Sequence, residues 1–536
     1  MTVRDHLPLR PRRSGRAAGL MAVLTVLFSV TVGFAPTAAA EDYVPISGSG
    51  SSWSFNAIDQ WRKNVLQYGM RITYSDTGST TGRNQFKVNQ VDFAVSEIPY
   101  GLKDGGVIDY GPPEGTYAYM PIVAGGTSLM YNLKIGGQRV TNLRLTGDLV
   151  AKIFTGAITN WGDPAIKAAN PGLKLPARKI VPVVRSDGSG STAQFTTWLA
   201  NQHAGVWDAF CRKAGRATPC GFTSNYPVVD PVVAQDKSIG VSNYVRQDQA
   251  EGAITYVEYS YAKAAGFPVA KLLNKKGYYV APTPEAVAVA LLKAEINPTT
   301  LVQTLDKVYV DMDPRTYPLS SYSYMVLPTQ TNQRFTTEKG KTLGAFAYYF
   351  LCEGQQQAGR LGFSPLPLNL VRAGMTQVGR IPGVQTHSLD ISKCNNPTFS
   401  SDGTNTLAKN APQPKECDRE GGPAQCEEGT GGAEQPTKSS GGAKNGANGA
   451  AVPGAAVPGA ADPAAVAAGD EEAGAVDENG DPVTRSAQNA SAVPVSVDLP
   501  ADDNVLLVIV AVVLLLALVA GPPLVARLLN RRGGQA

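Results

Sequence analysis

Ile180-Val181-Pro182-Val183-Val184-Arg185-Ser186-Asp187-Gly188-Ser189-Gly190-Ser191 runs from β-branched residues onto an arginine and then breaks into glycine and serine. The stretch that follows, Ala193 to Gln202, has the composition of a helix. A strand that feeds a helix through a glycine-rich turn is the building unit of α/β proteins. Two earlier segments share the design. Gly48-Ser49-Gly50-Ser51-Ser52-Trp53 leads into Asn56 to Val65, and Thr77-Gly78-Ser79-Thr80-Thr81-Gly82 leads into Asn84 to Asn89. Further along, the strand-like Ala253-Ile254-Thr255-Tyr256-Val257 gives way to helical stretches at Pro284 to Ala294 and Lys341 to Leu361. The reading is an α/β body from about Glu41 to Cys394, long enough for two domains.

The three turns carry a chemistry as well as a shape. Glycine lets a ligand approach the backbone, serine and threonine hydroxyls donate, and a helix start presents unpaired N–H groups with a partial positive charge. Together these make an anion-binding arrangement. The third turn adds Arg185, whose planar guanidinium can meet a tetrahedral oxyanion with two parallel hydrogen bonds. A serine before a helix is also the ordinary N-cap, so any one turn says little. Three of them, one led by an arginine, point to a protein that binds an anion, and an oxyanion is one shape the arginine would suit.

Both ends of the chain read as addresses. Met1 to Ala40 holds five arginines, then an apolar run from Leu20 to Phe34, and closes on Thr37-Ala38-Ala39-Ala40. That is the layout of a secretory signal, with cleavage expected after Ala40. Val505 to Ala526 is 22 residues without a charge, about 33 Å as a helix and enough to cross a bilayer. Asp502 and Asp503 precede it, and Arg527, Arg531 and Arg532 follow. The positive-inside rule then puts the tail, 527–536, in the cytoplasm and everything upstream of the span outside the cell membrane. The span is expected over 504–526. Between body and span, 396–503 is rich in Gly, Ala, Pro and Ser, with too few large apolar residues for a core, and reads as a disordered stalk.

The formal net charge of the whole chain is +4. The leader holds five arginines against one aspartate and the tail three arginines, which leaves −3 for the portion between them. No basic field argues for nucleic acid, so a bound anion has to be held by local groups. Six cysteines, Cys211, Cys220, Cys352, Cys394, Cys417 and Cys426, all lie in the expected exported part, where an even count favours disulfides. Sequence permits about 15 pairings; nearest-neighbour pairing, 211–220, 352–394 and 417–426, is the expectation. Without a C-x-x-C, and with only His203 and His387 after the leader, a metal site is not expected. The same scarcity of histidine weakens a serine-hydrolase reading. Neither serine cluster forms a G-x-S-x-G elbow, and no P-loop lysine follows Gly-Ser-Thr-Thr-Gly. An enzyme is not expected, and neither is a cofactor.

From about Ser47 to Val371 the chain resembles the phosphate-binding component of the Pst ABC importer, a periplasmic-binding-protein-like family. The resemblance runs through Gly48-x-Gly50-x-Ser52-Trp53 with Trp61, Gly78-Ser79 and Val91-Asp92-Phe93-Ala94-Val95-Ser96-Glu97. It continues through Asn170-Pro171-Gly172-Leu173-Lys174-Leu175-Pro176, Arg185 to Ser191, Tyr256-Val257-Glu258-Tyr259, Glu353-Gly354-Gln355 and Leu361 to Pro367. It implies a two-lobed, type II binding-protein fold with the ligand in an interlobe cleft. One lobe would hold about 41–125 and 258–395, the other about 126–257. It also implies a set of phosphate contacts. Ser52 would give its hydroxyl and Trp53 its backbone N–H; Ser79 would give both; Arg185 would supply the full charge, with Asp187 holding its guanidinium. Ser189, Gly190 and Ser191 would close the shell.

Glu97 stands where the family has an aspartate. A carboxylate there can accept the proton that phosphate still carries at neutral pH and that sulfate lacks, and leaving such a buried acceptor unpaired costs several kcal/mol. The longer side chain could also serve as a surface acid that caps the next loop. Arg83, where the family usually has an apolar or small residue, reads as a solvated helix face, with an added anion contact as the alternative. The expected partners are inorganic phosphate, an ABC permease and, through the C-terminal helix, the membrane; the body is expected to be a monomer. The alternatives are a surface sensor or scavenger without a permease, or a binding protein for another oxyanion.

Overall fold

The computed structural model describes residues 43–386, 394–422, 424–433 and 435–437. The elements that position the site begin with β1 (Ile46–Gly50), α1 (Phe55–Asn64), β2 (Ile72–Ser75), α2 (Ser79–Lys87) and β3 (Phe93–Ser96). They continue with the long β4 (Tyr117–Tyr131), β5 (Val181–Arg185), α3 (Gly190–Gln202), β6 (Val233–Gln235), α4 (Lys237–Val245), β7 (Ala253–Glu258), α5 (Pro284–Ala290) and β8 (Ser320–Pro328). Eight strands form one sheet in the order β6-β5-β7-β4-β8-β3-β1-β2.

The sheet has two parallel ends and an antiparallel middle. β1 pairs in parallel with β2 and β3, and β5 pairs in parallel with β6 and β7. Between them, β4 runs antiparallel to β8 from Tyr117 to Gly126 and then antiparallel to β7 from Thr127 to Tyr131. One strand thus hands its partner over at Gly126/Thr127, and the chain crosses there between a β1–β3 half and a β5–β7 half. The crossover needs its glycines. A Cβ on Gly125 would lie 2.6 Å from the Trp53 ring, and one on Gly126 2.7 Å from Pro282.

Burial follows the strand pattern. β4 and β8 are buried along almost their whole length, as the central strands of the eight-stranded sheet. Trp53, Trp61, Tyr256 and Phe93 are among the largest fully buried side chains. Cys211–Cys220, Cys352–Cys394 and Cys417–Cys426 are disulfide-bonded, the nearest-neighbour pairing.

The expected disordered stalk is corrected at its start. The described residues between 394 and 437 form a strap packed on the body rather than an unstructured tether. Thr398 Oγ1 and Asn396 Nδ2 donate to the Leu366 carbonyl at 2.8 and 3.0 Å. Ala408 and Ala411 pack on Ala288 and Val289 of α5. Past Cys417 the strap lies on the other half: Lys271 Nζ reaches both Asp418 oxygens at 2.7 Å, and Asn142 Nδ2 donates to the Cys426 carbonyl at 2.6 Å. A strap of this composition orders because a disulfide and backbone hydrogen bonds replace the missing apolar side chains. Residues 267–280, expected with the first half, also sit with the second, where Lys271 and Leu272 pair with Arg144 and Leu145. Among the described residues no helix is long and apolar enough to cross a membrane. The leader, His387, the rest of the stalk from 438 and the apolar stretch 504–526 lie outside the described residues.

Candidate functional site

The parallel ends of the sheet place their C-terminal tips together, where open α/β sheets bind ligands. β1 delivers Ser51, Ser52 and Trp53; β3 delivers Glu97; β5 ends on Arg185. Helices start at the same place. α1, α2, α3 and α4 begin at Phe55, Ser79, Gly190 and Lys237, so four partial positive charges face one region.

Glu97 is the centre of a hydroxyl cluster and is only 1% exposed, so the surface-acid reading is set aside. Its Oε1 accepts from Ser51 Oγ at 2.5 Å and from Ser323 Oγ at 2.8 Å, and its Oε2 accepts from Ser79 Oγ at 2.8 Å. Burial pushes the Glu97 carboxyl above the ordinary carboxylate range, and the hydrogen bonds from Ser51, Ser323 and Ser79 work against that rise. From the β5–β7 half, the Gly190 N–H donates to Ser79 Oγ at 3.1 Å. Gly190 has to be glycine, since a Cβ there would collide with Glu97 Oε2 and Ser79 Oγ.

Arg185 is 2% exposed. Its Nε donates to Asp187 Oδ1 at 2.6 Å, its Nη2 to Asp187 Oδ2, and its Nη1 to Ser238 Oγ at 3.1 Å. Asp187 is fixed in turn by the Lys237 N–H at 3.0 Å. The aspartate thus holds the guanidinium plane. Lys237 Nζ lies 3.4 Å from Asp76 at the end of β2, a second link between the halves.

The structure brings Ser52, Trp53, Ser79, Glu97, Arg185, Asp187 and Gly190 into this connected cluster. Their donors bond to one another: the Trp53 N–H goes to Ser51 Oγ at 3.0 Å, and Ser52 Oγ pairs with Ser238 Oγ at 2.9 Å. Ser189 differs from its expected role, since its hydroxyl accepts from the Thr192 N–H at 3.3 Å as the N-cap of α3, and its own N–H goes to the Ser224 carbonyl. Ser191 Oγ is buried with no hydrogen-bond partner among the described residues, which suits a group that waits for a ligand. Arg83 is a correction. It is buried at 2% exposure and donates to Asp109 at 2.6 Å and Ser96 at 2.9 Å, so it braces the loop after β3 and is neither a solvated face nor an anion contact.

The site can exchange these internal hydrogen bonds for bonds to one compact oxyanion. It offers hydroxyls from both halves, backbone N–H groups at helix starts, one guanidinium already balanced by Asp187, and one carboxylate acceptor. His203 stands at the far end of α3, about 20 Å from Gly190 by the helix rise, and gives the serines no general base.

A PBP superfamily domain is matched over residues 35–353. The phosphate-binding protein PstS of Xylella fastidiosa (strain Temecula1) is 32% identical over 339 residues, covering 63% of this chain and 85% of that protein. The chain belongs to the PstS family. PstS3 of Mycobacterium bovis (strain BCG / Pasteur 1173P2) is 29% identical over 380 residues, covering 67% of this chain and 96% of the relative. A solved phosphate-binding protein from Stenotrophomonas maltophilia aligns with a TM-score of 0.46 at 18% identity, over 68% of this chain and 99% of that one.

Three members of the cluster in this PstS family chain escaped the sequence reading. Ser51 lies inside the first glycine–serine turn beside Ser52, and only the fold shows that its hydroxyl is the one that meets Glu97. Ser238 follows the β6 strand and opens α4, the same strand–turn–helix pattern with Asp236-Lys237 in place of glycine, so a search without the glycine requirement finds it. Ser323 sits inside β8 and reaches Glu97 only because β8 pairs with β3, with Tyr324 opposite Ser96. No local signal marks it.

Proposed function

We propose that this protein captures inorganic phosphate between the two halves of its sheet and presents it to the permease of an ABC importer. The observation that carries the reading is a single buried acceptor, Glu97, surrounded by donors. A site made only of donors takes any oxyanion; one with a carboxylate at its centre favours an oxyanion that brings a proton. Phosphate does at neutral pH and sulfate does not. Membership of the PstS family supports the same conclusion. The contacts would be the hydroxyls of Ser52, Ser79 and Ser191, the N–H groups of Trp53 and Gly190, the Arg185 guanidinium and the Glu97 carboxylate. Opening at the crossover strands would admit the ion, and closure would bury it. The leader over 1–40 and the apolar stretch at 505–526 support a body held outside the cell by one C-terminal span.

Calorimetric titration with phosphate and with sulfate tests the reading. The fragment used should run to residue 437, because a cut at 395 strips Asp418 from Lys271 and removes the Cys417–Cys426 loop that packs on the body. Phosphate is expected to bind at least about 100-fold more tightly than sulfate, the scale of an unpaired buried acceptor. Binding of neither anion would overturn the proposal.

A further inference from the structure

We propose that Ser238 is a positioning residue for the phosphate site: it relays the charge of Arg185 across the cleft to Ser52 and frees the Ser52 proton for the ligand. The inference rests on the phosphate-capture reading and adds a residue that the family resemblance does not supply. Ser238 opens α4 in the β5–β7 half, and Ser52 follows β1 in the other half. Both are buried, at 0% and 1% exposure.

Either serine can donate in the ligand-free contact, and it is the bound oxyanion that sets the direction of the relay. A guanidinium has donors and no acceptor, so the 3.1 Å contact from Arg185 Nη1 occupies Ser238 Oγ as an acceptor. The Ser238 proton is then free to go to Ser52 Oγ, 2.9 Å away. The Ser238 backbone N–H also donates to Ser52 Oγ, at 3.0 Å. With both donors in place, the acceptor capacity of the Ser52 oxygen is filled and its own proton is left to give. Once an oxyanion takes that proton, the Ser52–Ser238 bond persists only with Ser238 as donor. Tyr261 completes the arrangement: its hydroxyl donates to the Ser52 carbonyl at 2.6 Å and pins the backbone.

The chain Arg185 N–H, Ser238 O–H, Ser52 O–H is a polarised series in a dry site, where each bond strengthens the next. Asp187 already uses the other side of the guanidinium. Ser238 thus gives the remaining N–H a route to the far wall of the cleft.

The test is calorimetric titration of inorganic phosphate into the full chain, comparing wild type with Ser238→Ala, Ser52→Ala and the double variant. Ser238→Ala is expected to weaken phosphate affinity about tenfold, the scale of one hydrogen bond to a charged group. Because Ser238 acts through Ser52, the double variant is expected to bind about as weakly as Ser52→Ala alone. Affinity within about twofold of wild type, or single-variant losses that multiply in the double variant, would overturn the relay while leaving phosphate capture intact. A wild-type chain that takes up no phosphate would overturn the capture reading and this inference with it. Ser238→Gly, which also keeps the backbone N–H, stands in if the alanine variant does not fold. Failure of both to fold would assign Ser238 to stability and overturn the relay.

Discussion

Two glutamates end strands in opposite halves of the sheet, Glu97 just after β3 and Glu258 at the end of β7, and they are 1% and 0% exposed. Burial pushes both carboxyls up, Glu258 well above its usual range. Their company differs. Glu97 accepts three serine hydroxyls. Glu258 accepts the Ser260 N–H at 2.7 Å on Oε2, while Oε1 has no partner among the described residues. Around the crossover, Ser321 opposite Gly125 and Ser364 opposite Ala124 also carry buried hydroxyls without partners there. Equal burial thus gives two kinds of acid. Donors aimed at Glu97 favour its ionised, accepting form. Glu258 has little to offset its desolvation beyond its own helix start and the more distant Lys263.

The largest way to break the Glu97 side of this comparison is Arg185→Ala. Phosphate affinity should fall by about 2 kcal/mol or more, roughly 30-fold, because a buried charged donor is lost and Asp187 is left unpaired. An unchanged Kd would remove Arg185 from the site. Glu97→Gln comes next. The amide keeps an oxygen but turns one acceptor into a donor, so phosphate should weaken and sulfate strengthen. The phosphate-to-sulfate ratio should narrow at least about tenfold, the scale of one lost charged hydrogen bond. A ratio equal to wild type in side-by-side titrations would mean that another group carries selectivity.

How much of this was legible in the sequence depended on range. The three glycine–serine turns and Arg185-x-Asp187 were legible because strand, turn and helix start are local patterns, and all three turns lie at the C-terminal tips of parallel strands. The disulfides were legible because each pair is separated by a short or moderate loop. Ser323 was not, since its meeting with Glu97 depends on a pairing of β8 with β3 more than 200 residues away in the chain. Nor was the burial of Arg83, because a charge on a short amphipathic helix looks solvated until Asp109 and Ser96 fold over it. The strap misled for a related reason. Gly- and Pro-rich composition reads as disorder, but Thr141, Asn142 and Lys271 supply partners that lie about 150 to 300 residues away.

The smallest effect expected is also the one that most directly sharpens the contrast between the two acids. Glu258→Gln replaces a buried acid, whose donors come only from its own helix start, with an amide that does not titrate and keeps an oxygen for the Ser260 N–H. A carboxyl whose folded pKa is raised contributes stability that is fully present below the ordinary glutamate range and is lost as pH rises through the folded value. Glutamine does not titrate, so the variant should escape that loss. It should be more stable than wild type at pH 7 by about 1 kcal/mol, the cost of one unpartnered buried polar group, and no more stable near pH 4. Phosphate affinity should stay within about twofold, since Glu258 makes no contact with the cleft hydroxyls. Thermal unfolding of both proteins at the two pH values reads the difference. A gain of equal size at both would mean that the crossover does not hold a protonated acid, and the two glutamates would then differ in packing alone.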